Sequence, residues 1–221
     1  MNEKRQSQNN TEAGNALIYV LVAIVLFAAL SFTLTRQTDT DEAGYLSSDQ
    51  AELYASEIIA YAASAKSTVD QMMFTGSSID DLDFILPSDA AFDTGSDIHK
   101  VFHPQGGGLN YRALRSEQIT DATGGIFVVK KNVEWTSSTA TDAVLSFYRL
   151  NRSICTRLIE KIDNTLHAPS SDAIIDDIFT DEADTDTLNT TTCPTCENKF
   201  VATIENATND SCTFYMVLAD R

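Results

Sequence analysis

The longest apolar run in the chain spans residues 15–35, NALIYVLVAIVLFAALSFTLT, and carries no formal charge. About 20 such residues are what a helix needs to cross a hydrocarbon core of roughly 30 Å. The run is apolar on every face, whereas a core helix shows one polar face. It therefore predicts a single membrane span. Lys4 and Arg5 precede it, while Arg36 is followed by Asp39, Asp41 and Glu42. That asymmetry favours the N-terminus inside and the body outside. A removable secretory signal would be shorter, with a small-residue junction behind it. Here the small-residue junction, Ala13–Gly14, lies in front.

Beyond Arg36 the chain turns polar but keeps helical spacing. Tyr54, Ile58, Tyr61, Ala62, Ala65, Val69 and Met72 recur at steps of three and four, with Glu52, Glu57, Lys66 and Asp70 between them. No proline falls between Ala13 and Leu86. Gly44 is the one weak point, costing about 1 kcal/mol relative to alanine; two helices hinged there are the alternative. The spacing predicts one long helix over residues 15–75, its first half (15–35) transmembrane and its second half packed on a domain. The tyrosines and Met72–Met73 on its stripe read as core.

Residues 76–125 are rich in Gly, Ser and Asp and read as a long irregular connection. Gly106–Gly108 lack both a preceding strand and the following Lys-Ser/Thr of a phosphate loop, so they read as a flexible loop. Strand patterns follow at GIFVVKKNVEW and at AVLSFYRL (143–150), joined by a Thr/Ser-rich turn. Asn151 caps a helix whose stripe is Ile154, Leu158, Ile162 and Leu166, ended by Pro169. An acidic, threonine-rich loop fills 170–192. KFVATIE and CTFYMVLA close the chain as a hairpin. The order predicts an α+β fold: a long N-terminal helix packed on an antiparallel sheet, with an additional helix, and residues 76–221 as the globular head.

Composition narrows the partners. The 221 residues carry a formal net charge of −17, and such a surface repels nucleic acid. A solvated face explains the charge; a cation or a basic partner would also suit it. Cys155, Cys193, Cys196 and Cys212 lie in the last third. An even number of cysteines beyond an apolar segment fits an oxidising compartment and disulfides. We favour Cys155–Cys212 with Cys193–Cys196, and a crossed pairing of Cys155 with Cys193 or Cys196 remains open.

Little of the sequence points to catalysis. Cys193-Pro194-Thr195-Cys196 is a C-x-x-C motif, but no helix pattern follows Cys193, as a redox site requires. A zinc site would need Cys155 or a histidine beside Cys193, Cys196 and Cys212. His99 and His103 are four apart, with Pro104 arguing against a helix. Asp181, Glu182, Asp184 and Asp186 offer oxygen ligands of the kind calcium takes, without the EF-hand glycine. No Ser/His/Asp or Cys/His constellation is readable. The expectation is a non-enzymatic protein without a cofactor.

The segment GNALIYVLVAIVLFAALSFTLTRQ resembles the prepilin family, in particular minor pilins and the minor pseudopilins of type II secretion. These often begin G-x-A-L-I and continue into a purely apolar run. The resemblance implies removal of a leader, residues 1–14, by a prepilin peptidase cutting after Gly14, and methylation of Asn15. It implies a bacterial inner-membrane protein with one pass, a periplasmic C-terminal domain, and later incorporation into a filament beside other pilins or pseudopilins. A filament-packing glutamate stands fifth in most mature members; here Tyr19 stands there, and Asn15 replaces the usual first Phe or Met. Tyr19 cannot supply the charge that holds register in such filaments, which implies a minor component in initiation or at the tip. A cysteine-bearing helix and a cysteine near the C-terminus also resemble the disulfide-closed region of type IVb pilins. The rival expectation is an uncleaved, single-span, membrane-anchored binding module.

Overall fold

The structure, a computed structural model, describes residues 18–29, 46–169, 172–180, 187–206 and 210–221, with backbone alone for 172–174. The chain divides into two compact units, Met1–Tyr45 and Leu46–Arg221.

In the first unit, helix α1 covers residues 18–29. Among the described residues no helix is long and apolar enough to cross a membrane. The expected single-pass inner-membrane anchor is not supported, and the rest of the 15–35 run lies outside the described residues.

The expected long helix is corrected as well. Helix α2 (Ser48–Phe74) has its own start. The Ser47 hydroxyl accepts from the Gln50 N–H, and the Gln50 side chain accepts from the Ser47 N–H, a reciprocal capping box. Such a box satisfies amide donors that a continuous helix would have bonded internally, so it marks a beginning. Glu52, Glu57, Lys66 and Asp70 then make α2 too polar to span lipid. Its buried stripe is Ala51, Tyr54, Ala55, Ile58, Ala62, Ala65, Val69 and Met72. The alanines let the helix axis approach the sheet closely.

The sheet is mixed, where an antiparallel one was expected. Strands β1 (Gly125–Val133) and β2 (Asp142–Asn151) form a hairpin, as do β4 (Val201–Asn206) and β5 (Ser211–Ala219). Strands β2 and β5 pair antiparallel at the centre. A two-residue strand, β3 (Thr187–Leu188), adds in parallel to the end of β1, giving the order β3-β1-β2-β5-β4. Side chains alternate between faces with period two. Leu145, Phe147, Phe214 and Leu218 face α2 and α3 (Arg152–Ile162). Val144, Tyr148, Tyr215 and Val217 face a second core with Ile175, Ile178 and Phe179.

Those last three residues belong to α4 (Asp172–Thr180), a helix inside the segment read as an acidic loop. Helix α3 starts as expected, with the Asn151 side chain accepting from Ser153 N–H at 3.1 Å. It stops early, at Ile162. Asn164 takes φ 55° and its N–H reaches the Ile159 carbonyl, a left-handed C-terminal cap that the sequence read through to Pro169.

The 76–110 connection is ordered by a buried cation. The Lys100 ammonium, 3% exposed as a residue, donates to the carbonyls of Phe92 and Thr94 at 2.6 Å and to Asp97 Oδ1 at 2.8 Å. The Gly106–Gly107 turn, read as a flexible loop, presses on α2. A Cβ on Gly107 would stand 2.5 Å from the Val101 carbonyl oxygen, 2.7 Å from Thr68 Cγ2 and 2.8 Å from Met72 Sδ. Gly107→Ala is therefore expected to destabilise the fold by about 1–3 kcal/mol, because overpacking forces backbone to shift. Urea denaturation measures it, and an unchanged midpoint would show that the turn yields freely.

Candidate functional site

The cysteines form two disulfides. Cys155 of α3 bonds Cys212 of β5, 57 positions apart, with Cα atoms 5.9 Å apart. Cys193 bonds Cys196 within one turn, where the Cys196 N–H donates to the Cys193 carbonyl. The crossed pairing is thus not the one formed. All four sulfurs belong to fully buried residues. A redox C-x-x-C motif needs an accessible thiolate stabilised at a helix N-terminus. Here the motif sits in successive turns, and no helix begins at Cys193.

The turn is fastened through a histidine that the sequence reading passed over. His167 is 1% exposed. Its Nδ1 lies 3.0 Å from the Thr195 hydroxyl, inside the C-x-x-C turn, and its Nε2 lies 3.0 Å from Asp163 Oδ2. Lys199 Nζ reaches the same carboxylate oxygen at 3.3 Å, and the Thr165 N–H donates to Oδ1 at 3.1 Å. Burial pushes the Asp163 carboxyl upward, but the bonds from His167, Thr165 and Lys199 outweigh it and hold it below the usual carboxylate range. The Lys199 carbonyl accepts from the Trp135 indole at 3.1 Å and from the Tyr215 phenol at 2.7 Å. Burial raises the Tyr215 hydroxyl far above its ordinary value. His167 also lends its backbone to the sheet: its N–H donates to Thr203 and its carbonyl accepts from Glu205, so the outer edge of β4 is covered.

A second polar cluster sits at a bulge in β2. Arg149 takes φ 55° where the β2–β5 register shifts. Its Nε donates to the Tyr148 phenol oxygen at 2.8 Å and its NH1 to Asp121 Oδ2 at 2.6 Å. The Tyr148 hydroxyl donates to Asp176 on α4. Burial, reinforced by that carboxylate, pushes the Tyr148 phenol up to about 12. Asp121 is held low by the Thr123 hydroxyl and N–H and by Arg149. Every charged group here has a partner on another element, so the cluster ties α4 and the 121–124 turn to the sheet.

The remaining expected positions are scattered. His99 Nδ1 lies 2.9 Å from the Ser77 hydroxyl, whereas His103 Nε2 stands 3.6 Å and 3.8 Å from Asp93 and Asp97, so the two do not converge. Among the described residues no three His, Cys, Asp or Glu side chains are grouped to hold a metal ion. The zinc set dissolves because its four sulfurs pair off. Gly14, Asn15 and the calcium candidates Asp181, Asp184 and Asp186 lie outside the described residues. Tyr19 lies on α1, 69% exposed.

One concavity of the head, of about 320 Å³, is lined by the polar side chains of Ser64, Thr68, Asn110 and Arg112; two others are mainly apolar. One of about 460 Å³ runs between Ala63 and Ser67 of α2 and Phe200, Val201 and Met216 of the sheet. Another, of about 240 Å³, lies along β1 at Phe127 and Val128, beside Phe84 and Phe102. Neither gathers a nucleophile and a base. No family model, no curated protein and no solved structure matches this chain.

Two outcomes follow from the buried clusters. A depressed carboxyl contributes stability that is present above its unfolded pKa and lost as pH falls through the folded one. Asp163→Asn should lower stability at pH 7, and the gap to the parent should close as pH drops toward 3; a pH-independent gap would show that Asp163 acts only by packing. In the chain-entropy model, opening the Cys155–Cys212 link costs about 4 kcal/mol and opening Cys193–Cys196 about 2 kcal/mol. Paired Cys→Ala variants compared by denaturation should show that order.

Proposed function

We propose that the chain is a non-enzymatic filament subunit of the minor pilin or pseudopilin type, with a leader removed after Gly14 and Asn15 as its first residue in the assembled form. The observation that carries this reading is α1. All twelve of its residues are apolar in the broad sense, from Ile18 through Tyr19 to Ala29, and all twelve are exposed. Fully burying one Val, Leu, Ile or Phe side chain is worth about 1.5–3 kcal/mol. A helix without a polar face gains most when other helices surround it, which is the situation inside a helical filament core.

Tyr19 fits a subunit that starts or caps the fibre. A repeating body position would need a carboxylate there to hold register against neighbours, and Tyr19 offers an aromatic ring and a hydroxyl instead. The head supports a structural role. Its two disulfides suit oxidising surroundings, and the polar groups of the His167 and Arg149 clusters bind one another. The partners in this reading are other pilins or pseudopilins and a prepilin peptidase, with nucleic acid disfavoured by charge.

Mass spectrometry of the native chain tests the processing step. An N-methylated start at Asn15 is the expected result, and a polypeptide that keeps Met1–Gly14 would refute it. Val22→Asp on α1 should reduce recovery in sheared filaments at least about ten-fold, with both disulfides of the head intact.

A further inference from the structure

One side of α2 borders the concavity of about 320 Å³, with Tyr61, Ser64 and Thr68 as one wall and residues 108–112 in the other. The helix residues are spaced i, i+3, i+7 and so share a face. Both walls belong to the stretch 46–169, which is described without a break, so no undescribed connection joins them across the opening.

The polar groups of this lining are not spent on the fold. Elsewhere in the head, helical hydroxyls bond back to the carbonyl four residues earlier, as those of Ser56, Thr156 and Thr180 do. The hydroxyls of Ser64 and Thr68 and the amide of Asn110 have no hydrogen-bond partner among the described residues. Each of these groups can both donate and accept. Arg112 adds guanidinium N–H donors, and the Glu57 carboxylate holds it in place through NH2. Leu109 and the Tyr61 ring supply apolar surface, the ring fixed edge-on against Phe147 with centroids 6.1 Å apart.

Charge and size select the occupant. The one cation of the lining is paired with Glu57, so the site presents no net charge to an anion. No carboxylate lines the concavity to hold a cation. The Lys66–Asp70 pair borders the 460 Å³ concavity instead, and the Arg115 guanidinium lies over the Tyr54 ring. An apolar ligand would strip water from the polar side chains without replacing its bonds. A neutral molecule rich in hydroxyls replaces them. At about 320 Å³ the space is at the small end of ligand sites, which suits a single ring.

We infer that this concavity binds one neutral sugar unit, its hydroxyls bonded by Ser64, Thr68, Asn110 and Arg112 and a C–H face laid on Leu109 and Tyr61. The inference stands on the head alone and does not depend on the filament reading.

The probes are free D-glucose, D-galactose and N-acetyl-D-glucosamine, titrated into the full chain in a detergent without a sugar headgroup. At least one should bind saturably with a Kd of about 1 mM, shifting the backbone amide resonances of Gly108, Asn110 and Arg112. The charged relatives glucosamine and glucuronate should bind about ten-fold more weakly. Ser64→Ala combined with Thr68→Val should weaken the neutral sugar about ten-fold and leave the thermal midpoint within a few degrees. If that variant loses its fold, Asn110→Ala takes its place with the same expected loss. A disaccharide ending in the same unit separates two sources: tighter binding assigns the end of a glycan, equal binding a free sugar, and both uphold the site. No saturable binding by any of the three sugars, equal binding of the charged relatives, N-methylacetamide bound as tightly as the sugar, or full affinity in the folded variant overturns the inference.

Discussion

The pairing of β2 with β5 imposes a condition on everything around it. Both strands are buried on both faces, so each must send alternate residues into two separate cores. Leu145 and Phe147 need partners on one side, Val144 and Tyr148 on the other. Slipping the register by one residue would exchange the two sets and bring each against the wrong layer. Helices α2 and α3 answer the first face, and α4 with the cysteine turn answers the second. Each core also holds one disulfide, Cys155–Cys212 in the first and Cys193–Cys196 in the second. The cross-links therefore lie where the sheet is already covered and fix the layers that cover it.

Much of this arrangement is legible in the chain. The four longer strands announce themselves as short runs rich in β-branched and aromatic residues, the Asn151 cap marks α3, and the amphipathic stripe of α2 names most of its buried residues. Other elements escape for identifiable reasons. Helix α4 hides among aspartates, although Ile175, Ile178 and Phe179 have helical spacing. Strand β3 is two residues long, below what any pattern resolves. Ser47 and Gln50 spell a helix start, but an uninterrupted, proline-free stretch made one continuous rod look simpler. The polar clusters are harder still. Thr195 meets His167 across 28 positions and Asp176 meets Tyr148 across 28, and no local signature encodes such encounters. Only the i, i+4 spacing of Asp163 and His167 was available as a hint.

The apolar run near the N-terminus shows how far hydropathy reaches. It marks residues whose burial would be favourable whatever covers them. It does not say whether lipid or protein supplies the cover. Helix α1 is exposed and unbroken in its apolarity, and that is a property of surface, not of traversal. The polar clusters of the head illustrate the converse. A buried histidine next to a carboxylate has the look of an acid–base pair, yet His167 and Asp163 spend every bond on neighbouring structure.

The coordination of Lys100 has one further consequence. Its ammonium is held by main-chain carbonyls at Ala91, Phe92 and Thr94, with Asp97 as the one side-chain acceptor among the described residues. Main-chain oxygens are the same whichever residue bears them. Positions 91 and 94 can thus drift in sequence while the segment keeps its path, whereas the lysine cannot, nor can Phe92, whose ring also packs against the core and His103. Related chains would be recognisable in this region by a retained cation and a retained ring amid neighbours that share little else.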